Sequence, residues 1–348
     1  MNYFKSVLFL LLLISSCKTN EKQKYNTLAS NKTNTDFVIA FGSCNNQTLS
    51  NPFWAEIEQN KPNVWIWGGD IIYTDTYDMA YMAENYRIQK NNADYADFTK
   101  KVDVLGTWDD HDYGLNDGGV EYSKKAEAQQ LFLDFLDVPK NDVRRKQEGV
   151  YFAKDYNVND KTIKIILLDT RYFRSALTPD NETKKRFKPN VYGEGTMLGE
   201  MQWEWLKNEL QNSKASYNII VSSIQFLSGE HGFEAWGNMP HEADKLVNLL
   251  KSSKAKNAII LSGDRHISEI SKKEIDGLAY PLIDFTSSGL THSYTDFKGE
   301  PNKYRLGNVV SKKSFGIINF DLKTNAVTME IRGENNVIYE TYTQNYVI

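Results

Sequence analysis

The stretch VWIWGGD at residues 64–70 contains the pattern that decides the fold. Its apolar run, Val64 to Trp67, is too short for an ordinary helix and has the bulk of a buried strand. Two glycines then permit a tight turn, and Asp70 follows at once. This pattern predicts a strand whose carboxyl end presents a carboxylate. By itself, however, Gly-Gly-Asp is most often a turn that caps a helix.

Short apolar runs of the same kind alternate with amphipathic segments along most of the chain. The other predicted strands lie at residues 37–41, 102–108, 163–168, 218–222 and 258–262. The predicted helices lie at residues 52–59, 79–100, 124–136, 201–212 and 242–253. This alternation predicts βαβ units and an α/β fold whose sheet is covered on both faces. Residues 280–285, 315–321 and 327–331 are instead typical of consecutive antiparallel strands, which we expect to complete a second sheet.

Each of the six predicted strands in the alternating region leads directly into polar or metal-competent side chains. In chain order these are Cys44, then Asp70 with Tyr73, then Asp109 to Asp112, then Asp169 with Arg171, then Ser222 to Gln225, and finally Asp264 with His266. Ligands of open α/β sheets bind beyond the carboxyl ends of the strands. Turn chemistry explains any one of these motifs, but it does not readily explain all six in the same position.

A crevice that gathers several aspartates, histidines and a thiol favours a metal site over a catalytic dyad. Closely spaced carboxylates repel one another, and several would stay protonated unless a cation offset their charge. Thiolate and phenolate ligands suit iron or another transition metal, whereas carboxylate and amide oxygens suit calcium, magnesium or manganese. Zinc alone fits less well, because the set is rich in oxygen and poor in histidine. The residues therefore predict a mixed site with two or three metal ions.

Five motifs in this order resemble the PhoD-like alkaline phosphatases of the metallophosphoesterase superfamily. They are GSC at 42–44, GDIIY at 69–73, WDDHDYGLND at 108–117, LDTR at 168–171 and GDRH at 263–266. The resemblance extends from about residue 37 to about residue 292. It implies one domain over residues 36–348, built as a four-layer α/β/β/α sandwich in which helices flank two packed sheets. It also implies phosphodiesterase or alkaline phosphomonoesterase activity, with one Fe³⁺ and one or two Ca²⁺ ions as cofactors.

The resemblance also implies roles for individual residues. Cys44 and Tyr73 are expected to bind iron, and Asp70 to bridge iron and calcium. Asp264 and His266 are expected at the last metal-binding strand end, with Asp110 and Asn116 as further ligands or supports. His111 is expected to face the substrate phosphate as an acid or charge stabiliser, with Asp110 beside it in the catalytic group. Arg171 is expected to grip a phosphate oxygen.

The segment from Glu230 to Pro240 follows the fifth strand and resembles a family segment near the pocket mouth. Trp236 is either a contact for the leaving group of the substrate or ordinary loop packing, and Gln225 is a candidate substrate-binding residue. His241 is better explained as part of the next helix, and His292 as a residue of the last crossover loop.

The first residues predict export and a lipid anchor. The run from Val7 to Ile14 is too short to span a bilayer and has the form of a signal-peptide core, and the following Ser-Ser-Cys17 resembles a lipobox. Residues 1–17 are therefore predicted to be a lipoprotein signal peptide with Cys17 as the lipidation site, and the polar residues 18–35 a tether. Because Lys18 is not the aspartate expected for inner-membrane retention, an exported bacterial lipoprotein of the outer membrane is favoured.

Cysteine usage and charge narrow the possibilities further. The chain contains two cysteines, so a lipidated Cys17 leaves Cys44 without a disulfide partner in an oxidising compartment. Cys44 is then a buried inert residue, a nucleophile or a protected metal ligand. The net charge of −4 and the absence of a basic block argue against a nucleic-acid-binding module.

Three functions stay open at this point. The first is metal-dependent hydrolysis of phosphate esters, on monoesters, diesters, phospholipid head groups or phosphate polymers. The second is hydrolysis by a Cys44 nucleophile. The third is a non-catalytic lipoprotein that binds phosphate or metal. The sequence predicts no oligomeric state.

Overall fold

The computed structural model describes residues 35–347, and its centre consists of two β-sheets packed face to face. Predictions about Cys17, the signal peptide and nearly all of the tether lie outside these residues. Among residues 35–347, no helix combines the length and the apolar character that crossing a membrane requires.

The first sheet has six strands in the order β15-β14-β13-β1-β2-β3. Strands β1, β2 and β3 are parallel to one another. On the other side of β1 the sheet continues through β13, β14 and β15, each antiparallel to the strand before it. The bounds are Phe37–Gly42 for β1, Val64–Gly68 for β2, Asp103–Thr107 for β3, Phe315–Asp321 for β13, Ala326–Arg332 for β14 and Ile338–Asn345 for β15.

The second sheet has seven strands in the order β12-β10-β11-β9-β8-β5-β4. Its middle strands β5, β8, β9 and β11 are parallel, and the outer strands are antiparallel to their neighbours. The bounds are Phe152–Val158 for β4, Lys161–Leu167 for β5, Tyr217–Val221 for β8, Ala258–Ser262 for β9, Ser268–Lys273 for β10, Leu282–Ser287 for β11 and Arg305–Val310 for β12. Thr178–Pro179 (β6) and Phe187–Lys188 (β7) form a separate two-stranded ribbon.

Helices cover the outer face of each sheet. Alternating residues of β1 and β2 explain this arrangement, because Phe37, Ile39 and Val64 pack between the sheets while Trp65 and Trp67 face the helices. Among the described residues, four helices pack against the first sheet: α1 (Trp54–Gln59), α2 (Met79–Lys90), α3 (Ala93–Thr99) and α5 (Lys125–Phe135). Two further helices pack against the second sheet: α6 (Gly199–Gln211) and α7 (Pro240–Ser253). The four-residue helix α4 (Asp110–Tyr113) follows β3. The predicted α/β/β/α sandwich is confirmed.

The two sheets meet at the carboxyl ends of their parallel strands. Ser43, just after β1, forms a parallel bridge with Ser288, just after β11, and its hydroxyl donates to the carbonyl of Ser287 at 3.0 Å. Gly263, just after β9, lies against the same serine. The strand ends of both sheets therefore share one edge, as a common crevice requires.

Two sequence predictions differ from the observed fold. The late strands β13 and β14 do not complete the second sheet, because β13 pairs with β1 and extends the first; only β11 joins the second, where it is parallel to β9. The single helix predicted over residues 79–100 is two helices. The first ends at Lys90 with Asn91 as its C-cap, and Asn92 caps the second by accepting the amide of Tyr95 at 3.1 Å.

Candidate metal centre

The backbone turns sharply at the predicted ligands. Cys44, Asp70, Asp264 and His266 all have positive φ angles, of 59°, 52°, 68° and 53° respectively. This left-handed conformation is uncommon for residues other than glycine and, where it persists, marks positions that the surrounding fold holds in place, often at functional sites. Here it allows each chain segment to leave its strand and aim a side chain into the shared edge.

Cys44 lies at the centre of the first group of ligands. Its Sγ is 3.3 Å from Asp70 Oδ2 and 3.0 Å from the hydroxyl of Ser288. The hydroxyl of Tyr73 donates to the same Asp70 oxygen at 3.1 Å and is 3.2 Å from His266 Nε2. The structure thus brings together four residues from three strand ends, which the sequence predicted as metal ligands.

Further ligand groups adjoin this one. In each of these groups the ligand atoms lie within 4.8 Å of one another. One group consists of Asp70, Asp110 and His111, and another of Asp109, Asp110 and Asp264. Asp70 belongs to two groups and Asp110 to more than one, so both are positioned to share ions. The bridging role of Asp70 and the ligand role of Asp110 stay predictions for which this geometry leaves room.

A fourth acidic group consists of Asp110, Asp117 and Glu234, but arginines already offset most of its charge. Glu234 pairs with Arg171 at 2.5 Å and with Arg174 at 2.8 Å, and Asp117 pairs with Arg186. The two groups that contain Asp70 have no such arginine pair among the described residues and are therefore the stronger candidates for a cation.

Buried hydrogen bonds fix the carboxylates from behind. Asp112 accepts the backbone amides of Asp109 at 2.6 Å, Asp70 at 3.2 Å and Ile71 at 3.1 Å, which ties the end of β3 to the end of β2. Ser223, at the end of β8, donates its hydroxyl to Asp109 Oδ1 at 2.8 Å. These contacts hold the ligands in position, which is the role that supporting residues play around metal sites.

The electrostatics of the cluster are unfavourable for the protein atoms alone. Burial, followed by the neighbouring thiol of Cys44, raises the pKa of Asp70 well above its usual range. Burial and then Asp109 do the same to the pKa of Asp264. Burial raises the pKa of Asp109 to about 7 and that of Cys44 to about 11. Each shift opposes the anionic form that binds a metal, so a cation is needed to stabilise all of these charges together.

Two buried carboxylate oxygens test whether cations fit the cluster. Asp70 Oδ1 and Asp109 Oδ2 have no hydrogen-bond partner among the described residues, although both are shielded from solvent. An unpartnered buried carboxylate oxygen is costly, and a bound metal ion removes that cost. The donor set of thiol, phenol, imidazole and carboxylates therefore fits the mixed metal centre that the sequence predicted.

His111 has contacts suited to an acid or charge stabiliser. Its Nδ1 lies 2.7 Å from Asp75 Oδ2, and its ring stacks on that of Tyr73 with centroids 4.2 Å apart. Burial lowers the pKa of His111, but the carboxylates of Asp70, Asp75 and Asp110 outweigh it and raise the value to about 11. The neighbouring carboxylates therefore favour the protonated form of His111.

A cavity of about 490 Å³ opens onto the cluster. Asp110, His111, Asp264 and His266 form its inner wall. Asn116 lies at its exposed side, where Nδ2 donates to Asp117 at 3.0 Å, and its role as a ligand remains a prediction.

The structure buries three residues that the sequence offered as substrate contacts. Arg171 is completely buried and paired with Asp109 and Glu234, so it positions the acidic cluster instead of gripping a phosphate. Gln225 is buried and donates to Glu269 and Thr286, both at 2.9 Å, within the second sheet. Trp236 is completely buried and packs against Trp203 and Phe226. These contacts favour ordinary loop packing over contact with the leaving group of the substrate.

The sequence interpretation undervalued one histidine. His292 does lie on the loop between β11 and β12, but its ring is 4.5 Å from that of His266 and 5.1 Å from that of Tyr73. The only available signal was its place shortly after a strand end. His241 is the second residue of α7, as predicted.

The fit between the two sheets at Gly263 gives a testable consequence. A Cβ at this position would lie 2.4 Å from Ser43 Oγ and 3.0 Å from the carbonyl of Gly68, so Gly263→Ala must push the joined strand ends apart. Such overpacking costs about 1–3 kcal/mol. We expect a lower melting temperature together with reduced metal content. Gly68→Ala is the matched control, because its Cβ would meet only ordinary contacts of 3.6 Å or more; equal effects of both changes would contradict the account.

Comparison with solved structures defines the class of fold. A structure of PhoD superposes with a TM-score of 0.69 at 17% sequence identity, covering 89% of this chain and 68% of that one. A dimetal phosphatase from Danio rerio superposes with a TM-score of 0.51 at 14% identity, covering 90% and 100% of the two chains. GAP50, the anchor in the inner membrane complex of Plasmodium, also superposes, with a TM-score of 0.55 at 14% identity and 90% of each chain covered. The fold is therefore one that phosphatases share with an anchor protein, and it does not by itself establish catalysis.

Sequence comparison then defines the family. A family model described as PhoD-like phosphatase matches residues 37–331, and the chain belongs to this family. Alkaline phosphatase D of Bacillus subtilis strain 168 is 28% identical over 118 residues, which are 32% of this chain and 20% of that protein. The chain thus matches only a fifth of the length of this curated relative. The family resemblance predicted from the five motifs is confirmed.

Proposed function

We propose that the protein is a metal-dependent hydrolase of phosphate esters, acting as a phosphodiesterase, an alkaline phosphomonoesterase or both. The observation that carries the proposal is the set of overlapping ligand groups around Asp70 and Asp110 beside a cavity of about 490 Å³. Membership of the PhoD-like phosphatase family supports the same activity.

The residues divide into two metal-binding halves. Cys44, Tyr73 and His266 offer the soft and aromatic ligands that suit iron, whereas Asp110 and Asp264 offer the oxygens that suit calcium, with Asp70 between the halves. Bound ions of this kind activate water and offset the charge that develops on a phosphate during hydrolysis. Asp75 orients the ring of His111, which in its protonated form can donate to a phosphate or leaving-group oxygen.

Turnover of model substrates tests this function. Purified protein is expected to hydrolyse p-nitrophenyl phosphate, bis(p-nitrophenyl) phosphate or both. Chelation of calcium is expected to abolish turnover while the colour of bound iron remains, and added calcium should restore it. A preparation that contains both metals but hydrolyses neither ester would contradict the proposal and favour a non-catalytic binding protein.

Burial argues against the alternative of a Cys44 nucleophile. The residue is completely buried and its thiol pKa is raised to about 11 by that burial, so thiolate is scarce without a metal and substrate cannot reach it. Retained metal content together with loss of a trappable covalent intermediate in Cys44→Ser would favour the nucleophile instead.

The cellular setting is also a proposal. The lipobox-like Ser-Ser-Cys17 and the polar segment after it support an exported lipoprotein anchored in the outer membrane. In that setting, phospholipid head groups and phosphate polymers are alternative diester substrates. Labelling with a radioactive fatty acid tests the anchor, because Cys17→Ala should remove the label.

A further inference from the structure

The mouth of the active-site cavity carries two partly exposed aromatic rings. Phe233 is 39% exposed and Tyr294 is 43% exposed, and both line the cavity that opens onto the metal centre. Clefts that bind organic groups commonly combine aromatic walls with a few polar groups. The inner wall of this cavity holds the polar ligands, so the two rings lie where the rest of a phosphate ester would extend.

Phe233 is held in place from below. The guanidinium of Arg265 packs over its ring at 4.0 Å from the centroid, and Arg265 is itself buried and paired with Glu300 at 2.7 Å. The backbone amide of Phe233 donates to His231 Nδ1 at 3.0 Å. A ring fixed in this way loses little conformational freedom when a ligand packs on it, which favours binding.

The segment that carries Phe233 is anchored as well. The carbonyl of Gly232 accepts the backbone amides of Arg186 at 3.0 Å and Phe187 at 2.8 Å, which ties it to the β6–β7 ribbon. Arg186 also lines the cavity, where it pairs with Asp117, so the ribbon contributes an ion pair to the same mouth.

Tyr294 is positioned directly beside the metal ligands. Its backbone amide donates to the carbonyl of His266 at 2.7 Å, and its ring packs edge-on against Phe297 with centroids 6.1 Å apart. Tyr294 is therefore tied through its backbone to His266, one of the predicted metal ligands, and lines the same cavity.

We propose that Phe233 and Tyr294 form a subsite for a planar aromatic ring within the leaving group, so that the preferred substrates are nucleoside or aryl phosphate esters. The inference rests on the proposed phosphoesterase function and deepens it. Nucleobases and aryl rings have a flat π-face that stacks on aromatic side chains, whereas glycerol and other polyols do not.

Matched monoesters test the subsite. The measurement is kcat/KM of the full-length protein on adenosine 5′-phosphate, phenyl phosphate and glycerol 2-phosphate. Phe233→Ala and Tyr294→Ala are compared with wild type. For each substrate, the loss is the ratio of the wild-type kcat/KM to the variant kcat/KM. The ratio removes the intrinsic difference in reactivity between phenolate and alkoxide leaving groups. Tyr192→Ala is the control, because Tyr192 is 66% exposed and does not line the cavity.

The expected losses depend on the substrate. Phe233→Ala and Tyr294→Ala should each lower kcat/KM about tenfold on at least one of the two aromatic esters and less than about twofold on glycerol 2-phosphate. Phe233→Tyr should restore most of the activity because it keeps the ring. A loss only on adenosine 5′-phosphate assigns the subsite to nucleosides, and a loss only on phenyl phosphate assigns it to aryl esters.

Two results would overturn the subsite, and they differ in what they mean for the function. Equal losses on all three esters would show that the rings support the shared phosphate site or the fold, and phosphoesterase activity would stand. A wild-type protein with its metals bound that hydrolyses none of the three would remove the proposed function and the subsite with it.

Discussion

Replacing Asp70 by asparagine is expected to lower kcat/KM for phosphate-ester hydrolysis by about a thousandfold or more, which corresponds to ~4 kcal/mol of transition-state stabilisation. Asp70 is the residue that links the thiol and phenol ligands to the aspartate groups. Its Oδ2 contacts Cys44 and Tyr73, and its Oδ1 has no hydrogen-bond partner within residues 35–347. Asparagine keeps the shape but loses the charge and one metal-binding oxygen. We therefore expect the variant to lose metal as well as activity, measured by elemental analysis and turnover.

Two controls separate this effect from a folding defect. The metal-free Asp70→Asn variant should be at least as thermally stable as the metal-free wild type, because a buried carboxyl with a raised pKa is removed. Asp94→Asn, at an exposed position of α3, should change neither metal content nor turnover. Full metal content with activity within tenfold of wild type in Asp70→Asn would contradict the bridging role.

Metal removal is expected to destabilise the protein more at pH 8 than at pH 5.5. In the metal-free protein the pKa values of Asp70, Asp109 and Asp264 are raised by burial, the value for Asp109 to about 7. A folded-state pKa above the unfolded value of about 3.9 means that the folded state binds more protons, so its stability falls as pH rises through that interval. Metal binding offsets these charges and releases the protons, so the stabilisation that it provides grows over the same range.

The measured quantity is the difference in melting temperature between metal-loaded and metal-free protein. An ion at a thousandfold excess over its Kd contributes about 4 kcal/mol, which in a domain of this size corresponds to about 8 °C at pH 8. We expect roughly half of that at pH 5.5. Buried groups that are not metal ligands titrate in the same way in the metal-loaded and the metal-free protein, so their contributions cancel in the difference between the two melting temperatures. His231, whose pKa burial lowers to about 3, is one such group. A difference that is equal at both pH values would contradict the electrostatic account.

The ligand groups were predictable because they depend on local pattern and parallel topology. A short apolar run followed by Gly-Asp or Gly-Ser-Cys fixes where a strand ends and which side chain follows it. Parallel strands align their carboxyl ends, so Cys44, Asp70 and Asp264 had to approach one edge once their strands lay in packed sheets. The same reasoning placed Asp110 and His266 beside them.

The roles of the arginine and of the late strands were not predictable in the same way. Arg171 follows a strand end just as a phosphate-binding arginine would, and its burial depends on Glu234, a partner far away in sequence. The pairing of β13 with β1 joins segments from opposite ends of the domain, and no local pattern encodes that choice. His292 likewise reaches Tyr73 only through the tertiary path of its loop.

Aromatic residues near the cavity illustrate the same limit. Trp236 and Phe233 lie three residues apart in one loop, and from the sequence only Trp236 was a candidate substrate contact, with loop packing as the alternative. The structure buries Trp236 completely and leaves Phe233 at the cavity mouth, because the short helical turn that begins at Trp236 directs its indole into the core, where Nε1 donates to Ser222 at 2.9 Å.

Elemental analysis of the purified protein, alongside turnover, tests the central claim most directly. If the joined strand ends form a mixed metal centre, the active protein contains at least two metal ions per chain, one of them iron, and Cys44→Ser loses iron in preference to calcium. Protein that hydrolyses phosphate esters while containing no metal, or that keeps its full iron content in Cys44→Ser, would contradict the account.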